Sequence, residues 1–191
     1  MRIFVAIDFP QDMLLKIEQI VSFFKTKTPP VALNWVQTEH LHLTVKFIGE
    51  VREHKVKPIQ EVLVNTLVDQ APFDIEVGGL GMYPHKQTPR VIWLGITGGE
   101  PLIKIHTQLD KNLASLDVKR EGRPFSPHLT IARVRRQADQ AMVKSIGQTL
   151  SQFNVDPLGA VTIDQVQLYQ SVLTPSGPNY TTLLSIPLNK V

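Results

Sequence analysis

The sequence contains no cysteine among its 191 residues. That absence excludes disulfide bonds, a thiol nucleophile and any zinc site with thiolate ligands. No apolar stretch approaches the roughly 20 residues that a membrane-spanning helix needs, so we expect no membrane association. The opening segment, MRIFVAIDFP, also lacks the long apolar run of a signal peptide. These features together lead us to expect a cytoplasmic protein.

The sequence also lacks the motifs of common nucleotide-binding proteins. It has neither a Gly-rich phosphate loop of the Walker type nor a dinucleotide fingerprint. GGLG at 78–81 falls in a predicted turn-rich loop, without the strand-to-helix context that such a site requires. His54, His85 and His106 have no partner at metal-ligand spacing, and we expect them on the surface. We therefore expect neither a cofactor nor a metal ion.

What is present is the composition of an ordinary globular protein. Apolar residues make up 42% of the chain and charged residues 19%, which suffices for a sizeable core. The formal net charge of +3 is compatible with a polyanionic partner but is weak evidence for one. Because no long linker separates the halves, we expect a single domain over residues 1–191. Nothing in the sequence demands an oligomer, so we expect a monomer.

Hydrophobic periodicity predicts strands alternating with amphipathic helices. The order helix, strand, helix, strand, strand occurs twice, which predicts a duplicated fold with two similar lobes facing each other across a cleft. Turn-rich loops are predicted at 78–90 and 174–179. Strands are predicted at 2–9, 34–36, 41–48, 73–77, 91–97, 128–134, 161–168 and 180–186, and helices at 12–25, 54–69, 102–116 and 142–153.

The strongest identity between the two copies lies in two tetrapeptides, HLTV at 42–45 and HLTI at 128–131. Because successive side chains of a strand point to opposite faces, His42 shares a face with Thr44, and His128 shares one with Thr130. A single pair of this kind is most often a solvated face of a sheet. Two pairs at matching places are hard to attribute to chance, and duplication alone does not explain why the polar residues remain.

Two imidazoles on opposite sides of a phosphate suit in-line displacement at phosphorus, in which the attacking and leaving oxygens lie roughly opposite each other. One histidine accepts a proton from water and the other donates a proton to the leaving oxygen, roles that an ordinary pKa of about 6.5 serves well. The hydroxyls of Thr44 and Thr130 can donate hydrogen bonds to the non-bridging oxygens. This scheme needs no metal ion.

Other residues near the motifs carry more open expectations. Strict alternation turns Arg133 away from His128, unless a β-bulge re-aims its guanidinium toward a phosphate. Phe47 is an odd number of steps from His42 and is expected in the core. His40 is expected to be exposed at the strand entrance, with the cleft mouth as the alternative. Aromatic residues that can stack on a nucleobase are Trp35, Phe47, Tyr83, Phe125 and Tyr169.

Longer segments around the motifs resemble a known family. HLTVKFIGE at 42–50 and RPFSPHLTIAR at 123–133 look like the two signatures of the two-histidine (2H) phosphoesterase superfamily. The segments MRIFVAIDFP, YPHKQTPRVIWLGI and LYQSVLTPSGPNYTTL resemble its bacterial and archaeal RNA 2′,3′-cyclic phosphodiesterases, formerly called 2′-5′ RNA ligases. The resemblance covers nearly the whole chain. Tyr83 stands where a phenylalanine is common.

The resemblance implies a bilobal α+β fold of pseudo-twofold symmetry, in which antiparallel sheets line a central cleft and helices lie outside. It implies an enzyme that hydrolyses the 2′,3′-cyclic phosphate of RNA ends or nucleotides to a 2′-phosphomonoester. By analogy with the family, His42 is the proton donor and His128 the proton acceptor, although a flipped substrate exchanges these roles. The resemblance assigns substrate binding to Thr44, Thr130 and Arg133.

Two alternative functions use the same residues. The first is a 2′-5′ RNA ligase that joins tRNA halves by running the same chemistry in reverse. The second is a non-catalytic module that binds RNA ends, although binding alone does not require two proton-transfer groups. Because water is present at about 55 M, mass action favours hydrolysis over ligation, in keeping with effective-concentration reasoning.

Overall fold

The computed structural model describes residues 1–174 and 177–189. Over these residues the chain forms nine β-strands and four α-helices, and every strand pairing is antiparallel. The strands are β1 (Arg2–Asp8), β2 (Leu33–Trp35), β3 (His42–Glu50), β4 (Phe73–Tyr83), β5 (Val91–Thr97), β6 (His128–Val134), β7 (Ala160–Ile163), β8 (Gln165–Thr174) and β9 (Gly177–Pro187). The helices are α1 (Gln11–Lys27), α2 (Val56–Leu67), α3 (Glu100–Asn112) and α4 (Gln140–Leu150).

The strands form two sheets. The first has the order β3-β1-β8-β9 and the second the order β2-β6-β5-β4-β7. Each motif strand pairs with the strand that comes before the preceding helix in the chain. β3 pairs with β1, which precedes α1, and β6 pairs with β5, which precedes α3. The next strand in each sheet comes from the other half of the chain: β8 joins β1, and β4 joins β5. The duplicated unit therefore begins one strand earlier than the sequence pattern indicates. Each half contributes two strands to the sheet of the other: β8 and β9 extend the first sheet, and β2 and β4 flank the paired strands β6 and β5 of the second.

Both motif strands carry a β-bulge at the same point of the motif. Ala6 pairs with Thr44 and Val5 with Lys46, so Val45 is the extra residue in β3. The second sheet repeats this irregularity, because the pairing of β5 with β6 also skips one residue, Ile131. A bulge of this kind reverses the alternation of the side chains that directly follow it. Val45 and Ile131, the last residues of the two motifs, are therefore each followed by another buried residue, Lys46 in β3 and Ala132 in β6.

The four helices pack their apolar stripes against the sheets and leave the cleft to the strands and loops. One cluster of buried apolar side chains contains residues from all four helices and from both sheets. Among the described residues, none from the four α-helices lines the cleft described below, so the α+β arrangement with these helices outside is confirmed. Within the described residues, none of the helices has the length and apolar character needed to cross a membrane.

Three predicted segments differ from the structure. Residues 78–81, expected to be a turn, belong to β4, which bulges at Gly79 and stays paired with β5 up to Tyr83. The strand expected at 161–168 is two strands in different sheets, separated at Asp164. Most of the loop expected at 174–179 is strand, because β8 and β9 remain paired as far as Thr174 and Gly177. Residues 175 and 176 of that loop lie outside the described residues.

Candidate active site

Residues of both sheets and of the adjoining loops line one cleft of about 1150 Å³. The motif strands β3 and β6 belong to different sheets, yet their Cα atoms come within 8 Å of one another. His42 and Thr44 line the cleft from the first sheet, and His128, Thr130 and Arg133 line it from the second. The structure therefore brings together all five residues that the sequence singles out.

The two histidines are held in the same way. Nδ1 of His42 lies 2.8 Å from the carbonyl oxygen of His40, and Nδ1 of His128 lies 2.8 Å from that of Ser126. In each case the partner is two residues earlier in the chain. Because a carbonyl oxygen only accepts hydrogen bonds, each Nδ1 must carry a proton and donate it. Nε2 is then the ring nitrogen left to accept or donate a proton in the cleft.

The pKa of His42 is lower than that of an ordinary histidine. Burial lowers its pKa below the ordinary 6.5. The hydrogen bond to the carbonyl of His40 and the negative charge of Asp8 act in the opposite direction. Electrostatic interactions with His40 and Arg133 lower the pKa further, and Arg133 acts from the opposite sheet. In the free protein, His42 is therefore mostly neutral at pH 7.

The other three predicted residues offer donors to an anion. Within the described part of the chain, the hydroxyls of Thr44 and Thr130 make no hydrogen bond, and Arg133 forms no salt bridge. Arg133 reaches the cleft because the bulge at Ile131 reverses the alternation of β6. Two hydroxyls and a guanidinium facing one cavity from two sheets form a site suited to phosphate oxygens.

Aromatic rings hold each imidazole from the side. The ring of Phe4 lies 4.9 Å from that of His42 at an interplanar angle of 34°, and Tyr180 meets the same imidazole edge-on at 5.1 Å. On the opposite sheet, Tyr83 meets the His128 ring edge-on at 5.2 Å. The Trp93 ring also flanks the His128 ring, at 5.9 Å. Such contacts restrict the rotation of both imidazole rings.

The expectation that Phe47 lies in the core is wrong. Its side chain lines the cleft and Phe47 is 55% exposed, because the bulge at Val45 shifts the alternation of β3. Aligning the two motif copies places Phe47 at the position of Arg133. The sequence raised a β-bulge as an alternative for Arg133, and the same bulge would re-aim Phe47. The alignment of the two motif copies could therefore have predicted that Phe47 faces the cleft.

The remaining histidines divide between surface and interior. His54 and His85 are exposed, as expected. His106 is not on the surface: it is buried, and its ring stacks on Phe125 with centroids 4.4 Å apart. His40 is half-buried and lines the cleft, which was the alternative to an exposed position. Over the residues that the structure describes, no group of three or more His, Asp or Glu side chains is placed to hold a metal ion.

Sequence comparison finds full-length relatives. The chain is 34% identical over 183 residues to an RNA 2′,3′-cyclic phosphodiesterase of Methanocaldococcus jannaschii, covering 96% of this chain and 98% of that protein. It is 33% identical over 184 residues to the protein of the same name from Methanothermobacter thermautotrophicus, covering 95% and 96%. A protein of that name from Escherichia coli is 33% identical over 140 residues, or 72% of this chain and 74% of that one.

Solved structures agree with these relatives. TT0787 of Thermus thermophilus superposes with a TM-score of 0.76 at 26% identity, over 100% of this chain and 99% of that one. LigT of E. coli in complex with 3′-AMP gives 0.76 at 26% identity, over 99% and 98%. The profile of the 2′-5′ RNA ligase superfamily matches residues 15–173. The chain therefore belongs to the 2′-5′ RNA ligase superfamily, the two-histidine phosphoesterases that its paired motifs indicate.

Proposed function

We propose that this protein hydrolyses the 2′,3′-cyclic phosphate of RNA ends or nucleosides to the 2′-phosphomonoester. The observation that carries the proposal is the matched pair of His42 and His128. Each imidazole is fixed through Nδ1 by a backbone carbonyl, and each leaves Nε2 to the same cleft. Relatives that match over nearly the full length are named for this activity, which supports the choice of substrate.

The reaction follows from placing the cyclic phosphate between the two sheets. A water molecule attacks phosphorus and gives a proton to Nε2 of His128, the acceptor. The bond from phosphorus to the 3′ oxygen breaks, and His42 donates a proton to that oxygen. The phosphate remains on the 2′ oxygen, so atoms and protons balance without a metal ion. This arrangement is general acid–base catalysis of an in-line displacement.

The donor role of His42 requires that the substrate change its protonation. Burial lowers the pKa of His42, so the imidazole is mostly neutral in the free protein near pH 7. A cyclic phosphate carries one negative charge, and an anion beside an imidazole favours the charged imidazolium. We therefore assign donation to His42 in the complex, where the substrate anion also offsets the repulsion from Arg133.

Substrate binding falls to the donors that face the cleft and that have no hydrogen bond or salt bridge within the described part of the chain. The hydroxyls of Thr44 and Thr130 donate to the two non-bridging oxygens, one from each sheet. Arg133 contributes charge and directed N–H groups to the same anion. Phe47, exposed in the cleft, offers an apolar surface to the sugar or base. We propose that residues 1–191 act as one domain, as a monomer in the cytoplasm, on RNA ends.

A matched set of histidine variants tests the proposal on an RNA with a 2′,3′-cyclic phosphate end. His42→Ala or His128→Ala should each lower kcat at least ~100-fold, the lower end of the contribution of acid–base catalysis. The control is His54→Ala, which removes an exposed imidazole and should leave kcat unchanged. A wild-type protein that binds the end without turnover indicates a binding module, and a product joined to a second RNA indicates a ligase. Either result refutes the proposal.

A further inference from the structure

Lys46 is a charged side chain buried inside the protein, with 1% of its side chain exposed. It follows the first motif directly, and simple alternation from His42 places it on the cleft face. The bulge at Val45 instead turns it to the core side of β3. Because a buried ammonium group is costly without partners, its acceptors show what it does there.

The Nζ of Lys46 donates to three oxygens. It lies 2.7 Å from Oδ1 of Asp110, 3.2 Å from the carbonyl of Lys119 and 3.3 Å from Oε1 of Glu121. Asp110 also accepts from Nε of Arg120 at 3.1 Å and from the backbone N–H of Glu121 at 2.9 Å. Burial alone raises the pKa of Asp110, but these bonds outweigh it and lower the pKa to about 2. The carboxylate is therefore ionised and bonded on both oxygens.

Three of these partners are consecutive residues of the 117–127 segment, which leads into β6 without regular secondary structure. The network therefore fixes a stretch that has no helix or strand hydrogen bonds of its own. Farther along the same segment, residues 123–126 line the cleft, and the carbonyl of Ser126 accepts the hydrogen bond from Nδ1 of His128. His106 supports this stretch from behind, because its ring stacks on Phe125 and its Nε2 lies 3.5 Å from Oε2 of Glu121.

We propose that Lys46 is a positioning residue for His128. Through Asp110 and Glu121 it holds the 117–127 segment in place, and the Ser126 carbonyl at the end of that segment fixes the tautomer and direction of the His128 ring. The inference rests on the proposed function, since it concerns the same site. Strand β3 then carries both His42 and Lys46, the residue that positions His128. This arrangement couples the two lobes.

The test compares Lys46→Met, Asp110→Asn and the double variant with the wild-type protein. Lys46→Met keeps an unbranched side chain that is one atom shorter, and it removes the ammonium group and its charge. We expect each single change to lower kcat at least ~10-fold, because a displacement of about 1 Å at a catalytic group can cost ~100-fold. The double variant should be no slower than the slower single variant, because the two residues act in one chain of contacts.

A second readout separates positioning from general loss of stability. In the wild-type protein, ¹⁵N NMR of the imidazoles should show the Nδ1–H tautomer for both His42 and His128. In folded Lys46→Met, His128 should become a tautomer mixture while His42 keeps its proton on Nδ1. This measurement needs no turnover, so it tests the inference even where the cyclic phosphate proves not to be the substrate.

Lys55→Met is the matched control. Lys55 also bonds a backbone carbonyl and a carboxylate at the start of the same segment, at 3.1 Å from Leu116 and 2.7 Å from Asp117. Its carboxylate partner is 88% exposed, so its loss should leave both kcat and the tautomer of His128 unchanged. Where Lys46→Met does not fold, Glu121→Gln replaces it, because that side chain is 38% exposed. Since Glu121 also lines the cleft, the kcat of this variant is interpreted only together with the tautomer of His128.

Each possible result either supports or overturns the positioning role of Lys46. A mixed His128 tautomer with a lowered kcat, absent from the Lys55 control, supports the inference. A folded Lys46→Met or Glu121→Gln protein that retains the wild-type tautomer and a kcat within twofold overturns it. A double variant whose losses multiply overturns the route through Asp110. A wild-type protein without turnover refutes the proposed function alone, and the tautomer then decides the inference.

Discussion

Gly81 is the position where one added methyl group should disturb the site most. It pairs with Trp93 across β4 and β5, and the indole lies flat over it. A Cβ built on Gly81 falls 2.0 Å from Cζ2 and 2.2 Å from Cη2 of that ring. Ordinary contact begins at 3.4 Å, so the indole must retreat by roughly 1.4 Å, the difference between the two distances. Gly81→Ala therefore forces Trp93 to move.

The cost of this movement has two parts. Overpacking a well-filled site typically costs about 1–3 kcal/mol. The displaced indole also disturbs its ring contacts with Tyr83 at 5.0 Å and His128 at 5.9 Å, and aromatic pairs contribute about 0.5–1.5 kcal/mol each. Relief of glycine's backbone entropy returns about 0.5–1 kcal/mol. We expect a net loss of about 2 kcal/mol in the free energy of unfolding.

The assay is thermal unfolding together with steady-state kinetics. For a chain of this length, about 2 kcal/mol lowers Tm by about 4–8 °C. Because the indole flanks His128, kcat should also fall, by ~10-fold or more. Gly122→Ala is the control, since a Cβ there meets nothing within 4 Å. A Gly81→Ala protein with Tm within 1 °C of wild type and an unchanged kcat would refute the packing described here.

Four further predictions concern the substrate-binding residues, the roles of the two histidines and the cooperativity of unfolding. Thr44→Val or Thr130→Val should lower kcat/KM by ~10–100-fold, because a hydrogen bond to a charged oxygen is worth about 1.5–3 kcal/mol, and each variant is measured on a cyclic nucleotide. Arg133→Lys should weaken substrate binding, seen as a raised KM, because an ammonium lacks the fork of a guanidinium. With His42 as donor, the residual kcat/KM of His128→Ala should fall as pH rises through the lowered pKa of His42, below 6.5, and a rise instead would reverse the two roles. Thermal unfolding should show one cooperative transition with equal calorimetric and van't Hoff enthalpies if the chain is one domain, and two separate transitions would contradict this.

The sequence predicted the motif strands well because their signal is local. Alternation and two repeated tetrapeptides sufficed to place His42, Thr44, His128 and Thr130 on matching faces of β3 and β6. The boundaries of β6 match the prediction at both ends. These features depend only on neighbours along the strand, which a single sequence displays.

The sequence raised a bulge as an alternative for Arg133 but could not establish it, because bulges arise between strands. A bulge depends on the register of two strands, and neither strand shows it alone. The bulge at Val45 determines the orientation of the next two side chains: Phe47 faces the cleft, and Lys46 faces the core. The burial of His106 also depends on a distant partner, Phe125. Tertiary contacts decided each of these positions.

The exchange of strands between the halves was also hidden. The pattern shows that elements repeat, but not which copy supplies each strand of a sheet. The sequence predicts one strand over residues 161–168, yet they divide at Asp164 between two sheets. The carbonyl of Asp164 accepts from the N–H of Leu188 at 2.7 Å, which ties this crossing to the end of β9. Only the folded chain reveals that contact.

The most direct test of the central claim is the product formed from a nucleoside 2′,3′-cyclic phosphate in excess chelator, followed by ³¹P NMR. Two histidines acting on opposite sides of the phosphate, with the 3′ oxygen as leaving group, predict complete conversion to the 2′-phosphomonoester at a rate that the chelator does not change. No conversion, a 3′-phosphomonoester, or a rate abolished by the chelator would contradict it.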